Sequence, residues 1–306
     1  MARSGSTRRK AVSTPVSEFL VRACAEAHER VAEARDLVGF DELRAAARSR
    51  PAPPGLAEAL AAPGTAGGPA IIAELKRASP SRGHLAWLPD PAARAIAYTE
   101  GGARAVSVLT EPAHFRGTLA DLEAVAHRVD VPVLRKDFLV DAYQVWEARA
   151  AGAAAALLIV AALDQGRMVE LLRTTWEAGL DALIEVHEVE EAARAHEALR
   201  EVRAGGSVTR PAIIGVNARD LRTLTVDPDR FAACVDALPA DALAVAESGV
   251  AHPDDVARAA AAGAHAVLVG EHLVTAADPV GAVRTLAGAV GPRRPAVGQG
   301  RPVDAS

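Results

Sequence analysis

The sequence has little cysteine and no long apolar run. Cys24 and Cys234 are the only cysteines in 306 residues. Two cysteines are too few for a disulfide framework, which favours a reducing, cytoplasmic compartment. A membrane helix needs about 20 consecutive apolar residues, and runs such as AAAALLIVAAL at 153–163 are too short. The composition therefore disfavours both a disulfide-rich secreted scaffold and a membrane protein.

An excess of basic charge is also missing. The formal net charge is −5, which argues against a nucleic-acid-binding protein. The segment MARSGSTRRKAVSTP is basic but lacks an apolar stretch after it, so we expect no secretory signal there. Residues 1–14 are interpreted as a disordered basic arm and the Pro/Gly-rich residues 291–306 as a disordered tail. Half of the residues are hydrophobic, so residues 15–290 are predicted to form a single domain around one large core.

Four segments repeat one pattern, in which a glycine precedes about five small or β-branched residues. They are GGARAVSVLT (101–110), AGAAAALLIV (151–160), AGLDALIEV (178–186) and AGAHAVLVG (262–270). Glycine is favoured just past the end of a helix, because it adopts the left-handed conformation without strain. Each segment therefore predicts a helix end followed by a buried parallel strand. The repeated glycines are Gly102, Gly152, Gly179 and Gly263, and their spacing indicates a βα unit of about 25–30 residues.

Strands and helices alternate through the rest of the chain. Further strands are predicted at 70–76, 131–136, 212–216 and 242–246, with helices at 90–100, 141–151, 189–199 and 252–262, for which Asp90, Asp141 and Pro253 are start signals. Eight strands in strict alternation with helices predict an α/β fold, a closed (β/α)8 TIM barrel. Residues 15–50 are predicted to add N-terminal helices, followed by a Pro/Gly-rich lead into the sheet. A doubly wound sheet is the rival fold, but no G-x-G-x-x-G follows the first strand.

Polar residues stand at the carboxyl ends of most predicted strands, where this barrel carries its chemistry. Glu74 and Lys76 share one face of the first strand, because strand side chains alternate with period two. Buried charges are costly unless they are paired or used, so these ends predict an active site. The polar ends of other strands include Glu111, Lys136, Glu185, Asn217 and Glu247. Glycines after the last two strands would let backbone N–H groups approach a phosphate.

The motifs at these ends also resemble a known family. IIAELKRASPSRG, AVSVLTEPAHFRG, VPVLRKDFLVDAYQVWEARAAGA, LIEVHEVEEA, IIGVNARDLRTLTVD, AESGV and AVLVGEHL occur in this order. Their order and spacing resemble indole-3-glycerol phosphate synthase over about 16–290, densely from the first strand onward. The resemblance implies a carboxy-lyase of tryptophan biosynthesis. It would convert 1-(2-carboxyphenylamino)-1-deoxyribulose 5-phosphate to indole-3-glycerol phosphate, with loss of CO2 and water and without a cofactor or metal.

The resemblance also implies a role for each site residue. Lys136 would be the general acid that protonates the substrate ketone, and Glu185 the acid/base of the later dehydration. Glu74 and Asn217 would orient the substrate, and Lys76 and Ser79 would bind its anionic groups. Arg219 would contact the ribulose phosphate side, and Glu247 would line the site. Ser248, Gly249, Gly270 and Glu271 would form the phosphate site. Phe115, Phe138, Leu158 and Leu221 would form the apolar slot for the anthranilate ring.

Several positions depart from the pattern of that family. Ala218 stands where many members have a second Asn, and Ala154 where they often have Asp. Glu271 stands where a Ser frequently helps to bind phosphate, so its carboxylate would repel the phosphate unless it points away. His114 and His272 also replace commoner residues. We expect these changes to affect phosphate affinity before they affect catalysis.

Other residues have more than one reading. His187 lies two residues after Glu185, but no second histidine completes a metal-ligand pair, so we interpret it as a loop histidine. Arg135 and Asp137 are interpreted as structural partners, and Glu111 stays undecided. The rival functions are a sibling isomerase acting on another ribulose phosphate and a catalytically silent barrel. We expect a monomer with a small phosphorylated substrate and no nucleic-acid or membrane partner, and an oligomer stays open.

Overall fold

A closed barrel of eight parallel strands forms the centre of the computed structural model, which describes residues 17–206 and 209–289. The strands are β1 (Ala70–Leu75), β2 (Ala105–Leu109), β3 (Val133–Lys136), β4 (Ala155–Ile159), β5 (Asp181–Val186), β6 (Ile213–Asn217), β7 (Leu243–Glu247) and β8 (Ala266–Val269). Each strand pairs with its neighbours in sequence, and β1 pairs with both β2 and β8. Short strands at Ala78–Ser79 and Gly83–His84 form a hairpin after β1. The predicted (β/α)8 barrel is confirmed.

Helices surround the barrel between the strands. Those in the described residues are α1 (Glu18–Leu37), α2 (Phe40–Ser49), α3 (Leu56–Ala61), α4 (Pro91–Glu100), α5 (Leu119–Ala126), α6 (Ala142–Ala150), α7 (Gln165–Glu177), α8 (Val189–Ala204), α9 (Arg230–Val235), α10 (Pro253–Ala261), α11 (Glu271–Val274) and α12 (Pro279–Ala287). Asp90 and Asp141 cap α4 and α6 as predicted, each accepting a backbone N–H of the first turn. None of these helices combines the length and apolarity needed to span a bilayer.

The repeated glycines end helices as the sequence predicts. Gly102, Gly152, Gly179 and Gly263 all have φ between 80° and 103°. In that left-handed region a side chain with a Cβ is strained. Each glycine therefore turns the chain from the end of a helix into the next strand.

Alternate strand residues form two separate apolar layers. Ile72, Leu134 and Leu157 belong to the cluster inside the barrel, whereas Ile71, Val133 and Leu158 belong to the cluster between barrel and helices. Both sets are almost fully buried. Since each inward-facing set continues to the carboxyl ends of the strands, the polar residues that close it face the barrel mouth.

A short helix closes the opposite end of the barrel. Leu56, Ala57 and Leu60 of α3 are buried in the same cluster as the interior strand residues. Asp181 at the start of β5 accepts the backbone N–H of Ala57 at 2.9 Å. Helix α3 was not predicted, because its six residues lie between two Pro/Gly-rich segments.

Helix α1 reaches the barrel mouth and is fixed there by charges. Arg30 donates to Asp137 at 3.0 Å, and Arg35 donates to Asp141 at 2.7 Å. Predicted N-terminal helices are thus confirmed as α1 and α2. The arm at 1–14 and the tail at 291–306 lie outside the described residues.

Leu60→Ala should lower the free energy of unfolding by about 2–5 kcal/mol, because it leaves a cavity in the closed end of the barrel. Leu60 has no exposed surface, whereas Leu37 is 85% exposed. The matched variant Leu37→Ala should change stability by less than about 0.5 kcal/mol. Urea denaturation of both variants measures the difference, and equal effects would contradict the assignment of α3 to the core.

Candidate active site

A cavity of about 470 Å³ opens at the carboxyl ends of the strands. That volume suits a small organic ligand. The predicted site residues that line it are Glu74, Lys76, Ser79, Phe115, Lys136, Phe138, Glu185, Asn217, Arg219, Leu221, Glu247, Ser248, Gly249, Gly270 and Glu271. The fold therefore brings the predicted site residues together in a single cavity, with one exception.

The exception is Leu158, whose predicted place in the apolar slot is wrong. Leu158 is fully buried in the layer between barrel and helices. Its neighbours Leu157 and Ile159 point inward and line the cavity. The error is one residue, and in a strand a one-residue shift moves a side chain to the other face.

The Lys136 ammonium group lies between two carboxylates at the barrel mouth. Its Nζ is 2.7 Å from Glu185 Oε2 and 3.2 Å from Glu247 Oε2. Lys136 comes from the end of β3, whereas the two acids come from the ends of β5 and β7. Glu185 and Glu247 are 2% and 1% exposed, so the three charges interact with little screening by water.

Asn217 connects this cluster to the loop after β7. Its Nδ2 donates to Glu185 Oε1 at 3.1 Å, and its Oδ1 accepts the Ser248 hydroxyl at 2.8 Å. The backbone N–H of Arg219 also donates to Asn217 Oδ1, at 3.0 Å. Because these partners fix both ends of the amide, Asn217 holds the Glu185 carboxylate in one orientation.

A second charge pair forms at the end of β1. Lys76 Nζ is 2.8 Å from Glu74 Oε1, so the acid and the base that share one face of the strand form an ion pair. Gly270 provides the room for this pair, since a Cβ there would lie 2.8 Å from Lys76 Nζ. Gly215 likewise leaves space for Glu247, because a Cβ at position 215 would overlap the Glu247 carboxylate.

Burial and neighbouring charges separate the pKa values of the clustered groups. Burial opposes the charge on Lys136, but the carboxylates of Glu185, Glu247 and Glu74 outweigh it and raise the pKa of the ammonium. Burial also opposes ionisation of Glu185, but Lys136 and His187 hold its pKa well below the ordinary range. Burial raises the pKa of Glu247 to about 8, helped by repulsion from Glu185. These groups therefore titrate together, and Glu247 is the carboxyl group whose proton is held most readily.

One wall of the cavity is apolar and includes a residue that the sequence analysis missed. Phe19, at the start of α1, lines the cavity beside the predicted Phe115, Phe138 and Leu221. Its ring meets Phe138 edge-on, with centroids 5.9 Å apart. Nothing in the βα repeat pattern points to Phe19, because it lies before the first strand.

The opposite rim of the cavity is polar. Ser248 and Gly249 have φ of 67° and 76°, and Ser248 is thus held in a conformation that is strained for a residue with a Cβ. Glu271 does not extend free into the cavity, because its Oε1 is 3.0 Å from Arg82 Nε. Arg219 contacts the Ser81 hydroxyl at 3.3 Å, which brings the loop after β1 against the loop after β6.

The residues beside Lys136 form a separate buried network. Arg135 pairs with Asp137 at 3.2 Å and with Glu147 at 2.7 Å, and Thr110 donates to Asp137 at 2.7 Å. This agrees with the predicted structural role. The network ties the end of β3 to α6 and so limits the movement of Lys136.

One further group of side chains has metal-ligating chemistry. Ligand atoms of Glu26, Glu111 and His114 lie within 4.8 Å of one another. However, the Glu111 carboxylate accepts three backbone N–H groups, from residues 113–115, within 3.0 Å. Glu26 pairs with His114 at 3.0 Å. These contacts give Glu111 a role as the cap of a turn and tie α1 to that turn.

His187 lies in the loop after β5, as predicted, and its side chain contacts Glu185 without lining the cavity. It is 6% exposed, and its Nε2 is 3.4 Å from Glu185 Oε1. The interpretation of His187 as a loop histidine is confirmed, since β5 ends at Val186. Period-two alternation from Glu185 is the sequence signal for its contact with that carboxylate.

Fold and site together define a (β/α)8-barrel enzyme with a buried lysine–carboxylate cluster suited to acid–base chemistry. A sequence model of the family described as indole-3-glycerol phosphate synthase matches residues 20–286. The chain belongs to this indole-3-glycerol phosphate synthase family.

Named relatives agree with this assignment, and solved structures share the barrel fold. The chain is 51% identical over 239 residues to indole-3-glycerol phosphate synthase of Mycobacterium ulcerans strain Agy99, which covers 78% of this chain and 82% of the relative. It is 52% identical to indole-3-glycerol phosphate synthase of Mycolicibacterium vanbaalenii, again over 78% of this chain and 82% of the relative. A solved mandelate oxidase variant is 21% identical over 73% of each chain, with a TM-score of 0.55. At that identity the likeness shows the barrel fold alone.

Infrared spectroscopy should detect a protonated carboxylic acid that loses its carbonyl band as pH rises through about 8, the pKa of Glu247. Because the folded-state pKa lies above the ordinary 4.5, the contribution of Glu247 to stability is complete below about 4.5 and is lost as pH rises through about 8. Glu247→Gln should lack the band, and the matched Glu271→Gln should keep it. A wild-type protein without the band below pH 8 would contradict the assignment.

Proposed function

We propose that the chain closes the indole ring of 1-(2-carboxyphenylamino)-1-deoxyribulose 5-phosphate in tryptophan biosynthesis, releasing CO2 and water. The observation that carries the proposal is the Lys136 ammonium group, fixed 2.7 Å from Glu185 and 3.2 Å from Glu247 beneath an apolar wall. A reaction of this kind needs an acid for an oxygen atom, a base for a proton on carbon, and a dry slot for an aromatic ring.

Lys136 acts in the ring closure. The ring carbon that carries the carboxylate attacks the ketone carbon, a C–C bond forms, and the C=O electron pair moves onto oxygen. Lys136 gives a proton to that oxygen, so no free alkoxide develops. Its three N–H donors and its charge suit an oxygen that becomes negative in the transition state.

Loss of CO2 follows from the electronics of the intermediate. The C–CO2 bond breaks and its electron pair restores the aromatic ring, so the step requires no cofactor as an electron sink. A base then removes a proton from the neighbouring carbon and passes that proton to the hydroxyl group, which leaves as water. Glu185 performs this acid/base work, since Lys136, Asn217 and His187 surround its carboxylate.

The rest of the cavity binds and orients the substrate. Glu74 and Asn217 orient the anilino nitrogen and the hydroxyl groups, while Lys76 and Ser79 hold substrate anions. Phe115, Phe138 and Leu221 enclose the anthranilate ring, together with Phe19, Leu157 and Ile159. Arg219, Ser248, Gly249, Gly270 and the backbone of Glu271 form the phosphate site.

Two other functions fit the residues less well. A sibling isomerase of ribulose phosphates has no use for an apolar slot with three phenylalanines in its wall. A silent barrel has no need of the buried ions Lys136, Glu185 and Glu74, which are costly to keep. We further propose a cytoplasmic, monomeric enzyme without cofactor or metal.

Lys136→Ala should lower kcat by about 10²–10⁴-fold, because it removes the acid of the ring closure. The assay follows indole absorbance and fluorescence with the carboxyphenylamino-ribulose phosphate as substrate. Tight binding of indole-3-glycerol phosphate by the variant is the control for an intact cavity. Activity unchanged in Lys136→Ala would refute the mechanism and leave the function in place. No turnover by the wild type would refute the function.

Glu271→Ser should lower KM about two- to fivefold at unchanged kcat, because a half-exposed charge beside a phosphate is worth about 0.2–1 kcal/mol. The change also removes the ion pair of Arg82, whose Nε lies 3.0 Å from Glu271 Oε1. Steady-state kinetics of Glu271→Ser and Arg82→Ala measure the two contributions, and the second variant should raise KM. A fall of kcat in Glu271→Ser would contradict a role confined to phosphate binding.

A further inference from the structure

One part of the apolar wall comes from a helix that is not part of the barrel. Phe19 lies at the start of α1 and lines the cavity, whereas Phe115 and Phe138 lie in the loops after β2 and β3. The Phe19 ring meets the Phe138 ring edge-on, with centroids 5.9 Å apart. The fit of the slot to an aromatic ring therefore depends on how the start of α1 is held against the barrel mouth.

His114, in the turn after β2, contacts α1 at two points. His114 Nε2 is 3.0 Å from Glu26 Oε2, and the His114 ring meets the Phe19 ring edge-on, with centroids 5.0 Å apart. Phe19 and Glu26 have the i, i+7 spacing that places two residues on one face of a helix. A single imidazole ring thus contacts both a residue of the slot and a polar residue further along the same helix face.

The turn that carries His114 is itself held in place. The buried Glu111 carboxylate accepts the backbone N–H groups of residues 113–115, all within 3.0 Å. The Phe115 carbonyl oxygen accepts the backbone N–H of Ala78 at 3.2 Å, which ties this turn to the hairpin after β1. The His114 side chain therefore reaches α1 from a backbone with fixed contacts on two sides.

The contact between His114 and Glu26 has a defined direction. A carboxylate only accepts hydrogen bonds, so Nε2 of the imidazole carries a proton and donates it to the Glu26 oxygen. The side chains of His114 and Glu26 are 19% and 31% exposed. Because water screens a pair of this exposure, the contact contributes little to overall stability. Its effect is on the orientation of the imidazole ring against Phe19.

Helix α1 has other anchors that do not involve His114. Three apolar residues of α1 are buried in the cluster inside the barrel, namely Leu20, Ala23 and Ala27. Arg30 also donates to Asp137 at 3.0 Å. The helix therefore stays packed when His114 is replaced, and the change is confined to the side chains that His114 contacts.

We propose that His114, paired with Glu26, positions the Phe19 ring and thereby sets the fit of the apolar slot to the anthranilate ring of the substrate. This inference rests on the proposed function. Among the described residues, His114 is not part of the cavity lining. It is therefore a positioning residue that acts on the substrate through Phe19.

His114→Ala should raise KM about three- to tenfold, the size of one lost aromatic contact. A wall residue contacts the ring in the ground state and in the transition state alike, so kcat should stay within about twofold of the wild type. Phe19→Ala should raise KM in the same way. Steady-state kinetics with the carboxyphenylamino-ribulose phosphate measure both constants.

A double-variant cycle tests whether His114 acts through Phe19. If it does, the variant with both residues changed to Ala should have the KM of Phe19→Ala alone, because His114 then has no ring left to position. Effects that multiply in the double variant would overturn the proposal.

Variants of Glu26 test the hydrogen bond. Glu26→Gln keeps an oxygen that accepts the His114 N–H, so its KM should stay within about twofold of the wild type. Glu26→Ala removes the acceptor and should raise KM as His114→Ala does. An unchanged KM in Glu26→Ala would contradict a role for the pair.

His196→Ala and Glu29→Ala are the matched controls, since His196 of α8 and Glu29 of α1 are exposed and should leave KM unchanged. A lower Tm of His114→Ala with an unchanged KM would assign His114 to stability alone and overturn the proposal. A wild type without turnover would overturn the proposed function instead. The same variants would then be compared by their Kd for 2-aminobenzoate, and equal affinity of the wild type and His114→Ala would overturn the positioning of Phe19.

Discussion

One buried ammonium group among three carboxyl groups is the constraint on which the rest of the site depends. Lys136 keeps its charge only because Glu185, Glu247 and Glu74 oppose the cost of burial. Removal of any one acid would therefore change the protonation of the other groups, since buried ions respond to one another strongly. The hydrogen bonds of Asn217 and the network around Arg135 support this cluster, because they hold the Glu185 carboxylate and the end of β3 in place.

The barrel explains how groups so far apart in sequence become neighbours. Glu74 and Glu247 stand on the first and the seventh strand, yet β1 and β7 both flank β8. Parallel strands bring all their carboxyl ends to one rim, so each strand needs to supply only one polar residue. Glycines at 215 and 270 are part of the same arrangement, because they leave the volume that the acids occupy. The site is thus a property of the whole ring of strands and of no single motif.

Most of the fold and of the site could be predicted from the sequence, for physical reasons that also explain the failures. Glycines in the left-handed conformation mark the helix ends, and period-two alternation assigns strand faces. Leu158 failed because its strand is apolar on both faces, so the pattern alone gives no register. Phe19 failed because a helix before the barrel carries no repeat signal. Two of the three lysines in the chain, Lys76 and Lys136, line the cavity at the barrel mouth.

The two ends of the barrel have separate tasks. Helix α3 and Asp181 close the amino end with apolar side chains and a capped turn, whereas every group with a proposed chemical role lies at the other end. Residues substituted at one end therefore make little direct contact with residues at the other end. An engineer could replace the closing helix to gain thermal tolerance, or rebuild the rim for a new aromatic substrate, as two nearly independent design problems on one scaffold.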